Sequence, residues 1–163
     1  ESAARMHPNN VGRIIRAIEI YRTTGITMTE QLKRSKQQPS PYSVCMIGLD
    51  FANRQTLYDR INRRVDVMME QGLLEEARQV LSSENARTAM QAIGYKELAP
   101  YFAGEIGLEE AVENLKRETR RYAKRQLTWF RREENIHWIF IDQCSNWEEV
   151  LQKANSLMEI HGL

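Results

Sequence analysis

The sequence predicts an α/β chain that is mostly helical. Three observations point there. Apolar residues recur at three- and four-residue steps over most of the length, which is the period of an amphipathic helix. Two short runs, SVCMIGL at 43–49 and IHWIFI at 136–141, are rich in β-branched and aromatic residues and read as strands, the first of them buried. Several helical patterns separate those strands. Two strands do not make a complete sheet, so they read as the tail of an α/β fold whose other strands lie upstream.

Each element has its own signals. After the turn His7-Pro8-Asn9-Asn10, residues 11–23 carry the stripe Ile14, Ile15, Ile18, Tyr21, with Asn10 placed to cap the start and Gly25 the end. Thr27 followed by Glu30 resembles a capping box for a short second helix. Residues 35–42, with two prolines, read as a linker or domain edge. A long helix is predicted over 54–71, with Leu57, Ile61, Val65, Met68 and Met69 on one face and Gly72 stopping it; residues 73–83 form the next. The Gly-containing junction 91–97 leads into a helix near 98–102. A basic helix is predicted over 108–132, with Glu109, Glu110 and Glu113 in its first turns and arginines near its end, which suits the helix dipole. Ser145 with Glu148 caps a final amphipathic helix to about His161.

Composition narrows the class. Hydrophobic residues make up 42% and charged residues 28%, which describes a soluble globular chain rather than a disordered one. No apolar run approaches the ~18–20 residues needed to cross a bilayer, so no membrane partner is expected. Cys45 and Cys144 are far apart and give neither a disulfide framework nor a metal signature, which predicts a reducing, cytoplasmic setting. The opening residues, beginning on Glu1, read like the middle of a longer protein. Net charge is only +1, but residues 116–132, KRETRRYAKRQLTWFRR, hold eight Lys or Arg against the single acid Glu118. That concentration of positive charge is the footprint of polyanion binding.

Four segments are candidates for chemistry. In the basic helix, Leu115, Tyr122, Ala123, Leu127 and Phe130 recur at helical steps and are expected to pack on the body of the protein, leaving Arg117, Arg120, Arg121, Lys124, Arg125 and Arg131 pointing elsewhere. Arginine suits phosphate because its planar fork donates two parallel hydrogen bonds, and Trp129 and Tyr122 offer faces for unpaired bases. The competing reading is a merely solvated face. In 91–97, Gly94 serves either close backbone approach to a ligand or a helix-entry turn. Asn10 is an N-cap, Arg13 and Arg16 lie on an exposed face, and His7 reads as a structural hydrogen-bonding group. Arg60, Arg63 and Arg64 either bind an anion or pair with Asp59 and Asp66. The sequence contains no G-x-x-x-x-G-K-[ST] phosphate loop, no nucleophile with its base, and three scattered histidines that suggest no metal site.

Four motifs in order resemble a known family. They are His7-Pro8-Asn9-Asn10 with Arg13-Ile14-Ile15-Arg16-Ala17-Ile18-Glu19 and Thr24-Gly25; Arg60-Ile61 with Arg64-Val65-Asp66, Met69 and Gly72-Leu73; Gln91-Ala92-Ile93-Gly94-Tyr95-Lys96-Glu97; and the run from Thr119 through Arg131. Together they resemble the tRNA dimethylallyltransferases (isopentenyl-diphosphate:tRNA transferases), specifically the C-terminal part.

The resemblance implies a P-loop kinase-like α/β core with a helical insertion that grips the tRNA anticodon stem-loop, here with residues 1–36 as the end of that insertion and 37–163 as part of the core. It implies transfer of a dimethylallyl group from dimethylallyl diphosphate to the exocyclic amine of the adenosine on the 3′ side of the anticodon, flipped out of its loop, with Mg²⁺ assisting at the diphosphate and its ligands outside these residues. Carried over by position, Gly12, Arg13, Ile14, Ile15 and Arg16, then Gln91, Ala92, Ile93, Gly94, Tyr95 and Lys96, then Lys124, Arg125, Gln126, Leu127, Thr128, Trp129, Phe130 and Arg131 match tRNA-contacting stretches. Arg64, and Arg60 beside it, match arginines near the diphosphate. The family's phosphate loop and acidic general base have no match in these residues, so no catalytic residue is expected here; the chain alone is expected not to carry out transfer, and to be a monomer. A stand-alone RNA-binding helical module and a helical protein with an acidic partner are the competing readings.

Overall fold

In the computed structural model, which describes residues 6–37, 41–83 and 89–162, the two strand-like runs pair with each other. β1 (Met46–Asp50) and β2 (Ile136–Phe140) run parallel, in register from Met46 beside Ile136 to Asp50 beside Phe140. Between them come α3 (Arg54–Glu70), α4 (Leu73–Leu81), a 3₁₀ turn at Ala89–Gln91, α5 (Tyr95–Phe102) and α6 (Leu108–Phe130); after β2 come a 3₁₀ turn at Ile141–Gln143 and α7 (Trp147–Ile160). Ahead of β1 lie α1 (Val11–Thr24) and α2 (Met28–Gln37). The chain divides into two compact units, residues 1–44 and 45–163.

In the first unit the predicted caps form. The Asn10 side chain accepts from the Arg13 N–H at 3.3 Å, Gly25 ends α1 in the left-handed region at φ 68°, and Thr27 Oγ1 accepts from the Glu30 N–H at 3.2 Å. No residue of α1 is buried. Its apolar stripe lines an open depression of about 690 Å³ with Met6, Pro8 and Met28. The predicted linker starts later than 35, since α2 runs to Gln37; residues 38–40, including Pro39, lie outside the described residues.

The second unit has the core. Val65, Leu73, Ala77, Leu98, Ala111 and Leu115 form one buried cluster drawn from α3, α4, α5 and α6. The pairs Ile61/Val65, Leu73/Ala77 and Ala111/Leu115 are four residues apart, so each helix buries one stripe. Fully buried Ala77 and Ala111 leave room for close helix approach. Gly72, at φ 99°, makes the left-handed turn between α3 and α4. α5 begins at Tyr95, three residues before the expected 98, because Gly94 at φ 113° turns the chain directly into it. Gly94 accordingly makes a helix-entry turn. It has no side chain to cap with, so only half of the reciprocal box forms, the Glu97 carboxylate accepting from the Gly94 N–H at 2.9 Å.

The carboxyl ends of the strands are knitted together. Asp142, just after β2, accepts from the N–H groups of Ala52 and Asn53, each at 2.8 Å, in the loop after β1, and these bonds hold its carboxyl below the usual aspartate range. Asn53 then caps α3, accepting from Gln55 N–H at 2.9 Å. The final helix is capped one residue later than expected. Asn146, not Ser145, accepts from the Glu149 N–H at 2.9 Å, and Glu149 rather than Glu148 reaches back to the Ser145 N–H at 2.7 Å. Asparagine at the cap satisfies the same orphan donor as serine would.

Two predictions follow from this packing. A Cβ at Gly48 would stand 2.7 Å from the Trp138 ring and 2.8 Å from the Ile136 side chain. Gly48→Ala is therefore expected to cost about 1–3 kcal/mol in denaturant unfolding, as overpacking does. Glu149, held by Lys153 and the Ser145 N–H, has its carboxyl pulled from 4.5 down to about 2. A depressed carboxylate stabilises above its ordinary pKa and loses that contribution as pH falls from 4.5 towards 2. Glu149→Gln should flatten that part of the acid limb of a stability-versus-pH curve relative to the parent protein.

Candidate nucleic-acid interface

α6 carries the basic segment, and packing divides its cations into two groups. One group is used internally. Lys116 lies between Asp66 at 2.7 Å and Glu113 at 3.2 Å, which holds its ammonium above the ordinary lysine range, the Asp66 bond contributing most. Arg120 turns inward to α3 and donates to the Asn62 side chain. Arg131 reaches the carboxyl end of β1 and pairs with Asp50 at 2.9 Å; the Asp50 side chain is 2% exposed and that of Arg131 52%. Asp50 also accepts from the Phe51 N–H at 2.8 Å. Arg117 and Arg121 flank Glu118 at 3.8 and 2.6 Å, exposed pairs that contribute little. The expectation that Arg120 and Arg131 point away from the body is corrected here.

The second group faces solvent. Lys124, Arg125 and Arg132 have no acidic partner among the described residues, and with Thr128 and Trp129 they line one open depression of about 270 Å³. The steps 124, 125, 128 and 132 are those of one helix face. Trp129 is 58% exposed, its ring edge-on to Phe130 with centroids 4.9 Å apart, and the Arg125 guanidinium lies 5.7 Å from the Tyr122 ring centre. Tyr122 and Phe130, expected to pack inward, are 46% and 40% exposed. The fully buried part of α6 ends at Leu115; beyond Arg120 only Ala123 and Leu127 are half-covered. Ala123, Gln126, Leu127 and Phe130 form one wall of an apolar pocket of about 350 Å³ whose other wall is the sheet face of Gly48, Ile136 and Trp138.

The remaining sequence candidates are spread over other elements. Gly12, Arg13, Ile15 and Arg16 are exposed on α1 in the first unit, Ile14 is half-buried, and Arg16 pairs with Glu19 at 3.3 Å. Gln91, Ala92, Ile93 and Lys96 are exposed around the buried Gly94, while the Tyr95 hydroxyl donates to Glu76, a bond that pushes its phenol above the ordinary range. On α3, Arg60, Arg63 and Arg64 are exposed and make none of the expected pairs: Asp66 serves Lys116 and Asp59 accepts from Gln55 at 2.8 Å. Arg60 lies over the Phe51 ring at 5.9 Å. Residue-by-residue reading missed Arg132, whose helical spacing to Thr128 was legible, and Arg54, whose Nη1 is buried without a hydrogen-bond partner among the described residues. Nothing in the local sequence marks Arg54.

A family model described as IPP transferase matches residues 1–133. The chain belongs to the IPP transferase family. A tRNA dimethylallyltransferase of Thermoanaerobacter sp. is 50% identical over 165 aligned residues, covering 99% of this chain and 52% of its own length. That of Halalkalibacterium halodurans is 54% identical over 157, covering 95% and 49%. The chain thus spans about half the length of the curated relatives it matches. Among solved structures, a tRNA Δ(2)-isopentenylpyrophosphate transferase from Staphylococcus epidermidis superposes with a TM-score of 0.68 at 41% identity, over 97% of this chain and 52% of that one. The full-length tRNA isopentenylpyrophosphate transferase from Bacillus halodurans gives 0.62 at 44% identity, over 99% and 46%. The mostly helical α/β fold with its parallel strand pair is therefore that of these enzymes.

The two groups of cations predict opposite mutational outcomes. Arg131→Ala strands the buried Asp50 carboxylate and should lower stability by about 1–3 kcal/mol in chemical denaturation. Lys124→Ala with Arg132→Ala removes exposed charges and should change stability by no more than about 0.5 kcal/mol.

Proposed function

We propose that this chain is part of a tRNA dimethylallyltransferase and that its residues act chiefly in holding the anticodon stem-loop. The reaction joins the adenosine exocyclic amine to C1 of the dimethylallyl group as the C–O bond to diphosphate breaks. The diphosphate departs with the bonding electrons and the amine loses a proton. Family membership and the names of the relatives support the chemistry. The observation that carries the role of this chain is the depression of Lys124, Arg125, Thr128, Trp129 and Arg132: exposed cations with no acidic partner among the described residues, around an aromatic face. Phosphate takes the cations and an unpaired base takes the indole, the combination by which single-stranded loops are held.

Arg64 and Arg60 suit the departing diphosphate, since fixed positive charge is worth most where negative charge develops. Neither has an acidic partner among the described residues, which leaves that charge uncompensated there. Magnesium belongs to the same proposal as a neutraliser of diphosphate. Among the described residues no group of three His, Cys, Asp or Glu side chains converges to hold it, so its ligands are not assigned to this chain and no step is routed through it. No helix among the described residues is long and apolar enough to cross a membrane.

Fluorescence anisotropy with an unmodified anticodon stem-loop tests the reading. Affinity should fall with salt on a log–log slope of about −0.7 per single-strand phosphate contacted. Lys124→Ala with Arg132→Ala should weaken binding several-fold and reduce the slope by ~1–2. Trp129→Ala should weaken it without changing the slope. An acidic protein partner instead of RNA would leave stem-loop affinity unchanged in both variants. With dimethylallyl diphosphate added, the 163-residue chain should bind without turnover.

A further inference from the structure

Two of the three histidines, which look scattered in sequence, meet in the second unit. His137 lies on β2 and is half-buried; His161 lies just past the end of α7 and is exposed. Their Nε2 atoms are 2.8 Å apart and their ring centroids 4.9 Å, with the planes inclined at 63°. Neither side chain makes another hydrogen bond among the described residues.

Facing imidazole nitrogens at that distance share one proton in an N–H···N bond, or they serve as two arms of a chelate. Zinc–imidazole bonds of about 2.0–2.1 Å at a tetrahedral angle put the two nitrogens about 3.3 Å apart. The pair needs to open by only about 0.5 Å to reach that spacing. Each ligand is held by a separate element. His137 is fixed by the β ladder, where it sits beside Ile47, and His161 by the C-terminal end of α7, which packs on β2. Two ligands from separate, packed elements lose little freedom on chelation. Imidazole selects borderline transition metals such as Zn²⁺, Cu²⁺ and Ni²⁺ over the hard Mg²⁺, so this pair has no part in neutralising a diphosphate.

We propose that His137 and His161 form a two-imidazole site for a borderline divalent metal, with water completing its shell, and that the bound ion clamps the end of α7 to β2. His7 supplies an internal control. It lies in the other unit, where its Nδ1 accepts from the Asn9 N–H at 3.3 Å.

The probe is Zn²⁺ alone, titrated into the full chain at pH 7.5 and read by long-range ¹H–¹⁵N spectra of the imidazoles. The His137 and His161 Nε2 resonances should shift together and saturate at one equivalent, with His7 unmoved. His161→Gln, at an exposed site beyond the last helix, should lower the affinity by at least about tenfold, as loss of one arm of a chelate does. His137→Gln should do the same. The melting temperature should rise with Zn²⁺ in the parent protein and not in either variant. Resonances of all three histidines moving in parallel, absence of saturation below about 1 mM Zn²⁺ (an affinity of only ~4 kcal/mol), or undiminished affinity in His161→Gln would each overturn the site.

Discussion

The contact on which the arrangement of this chain depends is the ion pair of Asp50 with Arg131. Asp50 ends β1 and is buried; a carboxylate there is tolerable only with a countercharge and hydrogen bonds. Arg131 supplies the charge from the end of α6, 81 residues later. With Lys116 on Asp66 and Arg120 on Asn62, it fixes α6 along α3 and brings its end to the strands. Helix packing alone would not do this, because the shared apolar core ends at Leu115 and leaves the second half of α6 without a buried stripe. Three polar ties hold what the core does not reach.

Those ties also decide what the basic segment offers to a partner. Of its eight Lys and Arg, three turn to the body of the protein, two share Glu118, and Lys124, Arg125 and Arg132 have no acid beside them among the described residues. The remaining charge is concentrated at one end of one helix face, beside Trp129 and Tyr122. Exposed cations gathered within a Debye length of about 8–10 Å reinforce each other's potential, which a dispersed set would not. The internal pairs thus shape the site by subtraction. A run that reads as uniformly basic is in the fold a small cationic patch with an aromatic centre.

A similar division of labour holds at the carboxyl ends of the strands. Asp142 engages both oxygens with backbone N–H groups of the loop before α3, so its charge orders that loop. Arg60 and Arg64, one turn apart on α3, keep theirs, because the acids near them in sequence are engaged by Lys116 and Gln55. Unpaired arginines on a helix anchored by Asn53 and Asp142 are preorganised for an anion, whereas the same arginines paired with Asp59 and Asp66 would not be.

The amino-acid sequence by itself determined the elements. Composition placed both strands, periodicity with cap and glycine signals placed every described α-helix, and the caps at Asn10, Gly25 and Thr27 were legible because capping is local chemistry between residues two to four apart. The misplaced cap at Ser145 and the late start assigned to α5 were errors of one to three residues among near-equivalent signals. The four motifs also placed the chain in its family, since they are strings of residues and need no folding to be read. Only the tertiary structure decided which arginine does what. Arg120 and Arg131 look like Lys124 and Arg125 in sequence, and they differ because Asn62 and Asp50 arrive beside them from 58 and 81 residues away. The meeting of His137 with His161 was hidden for the same reason. A side chain's charge is local, but its partner is supplied by the fold.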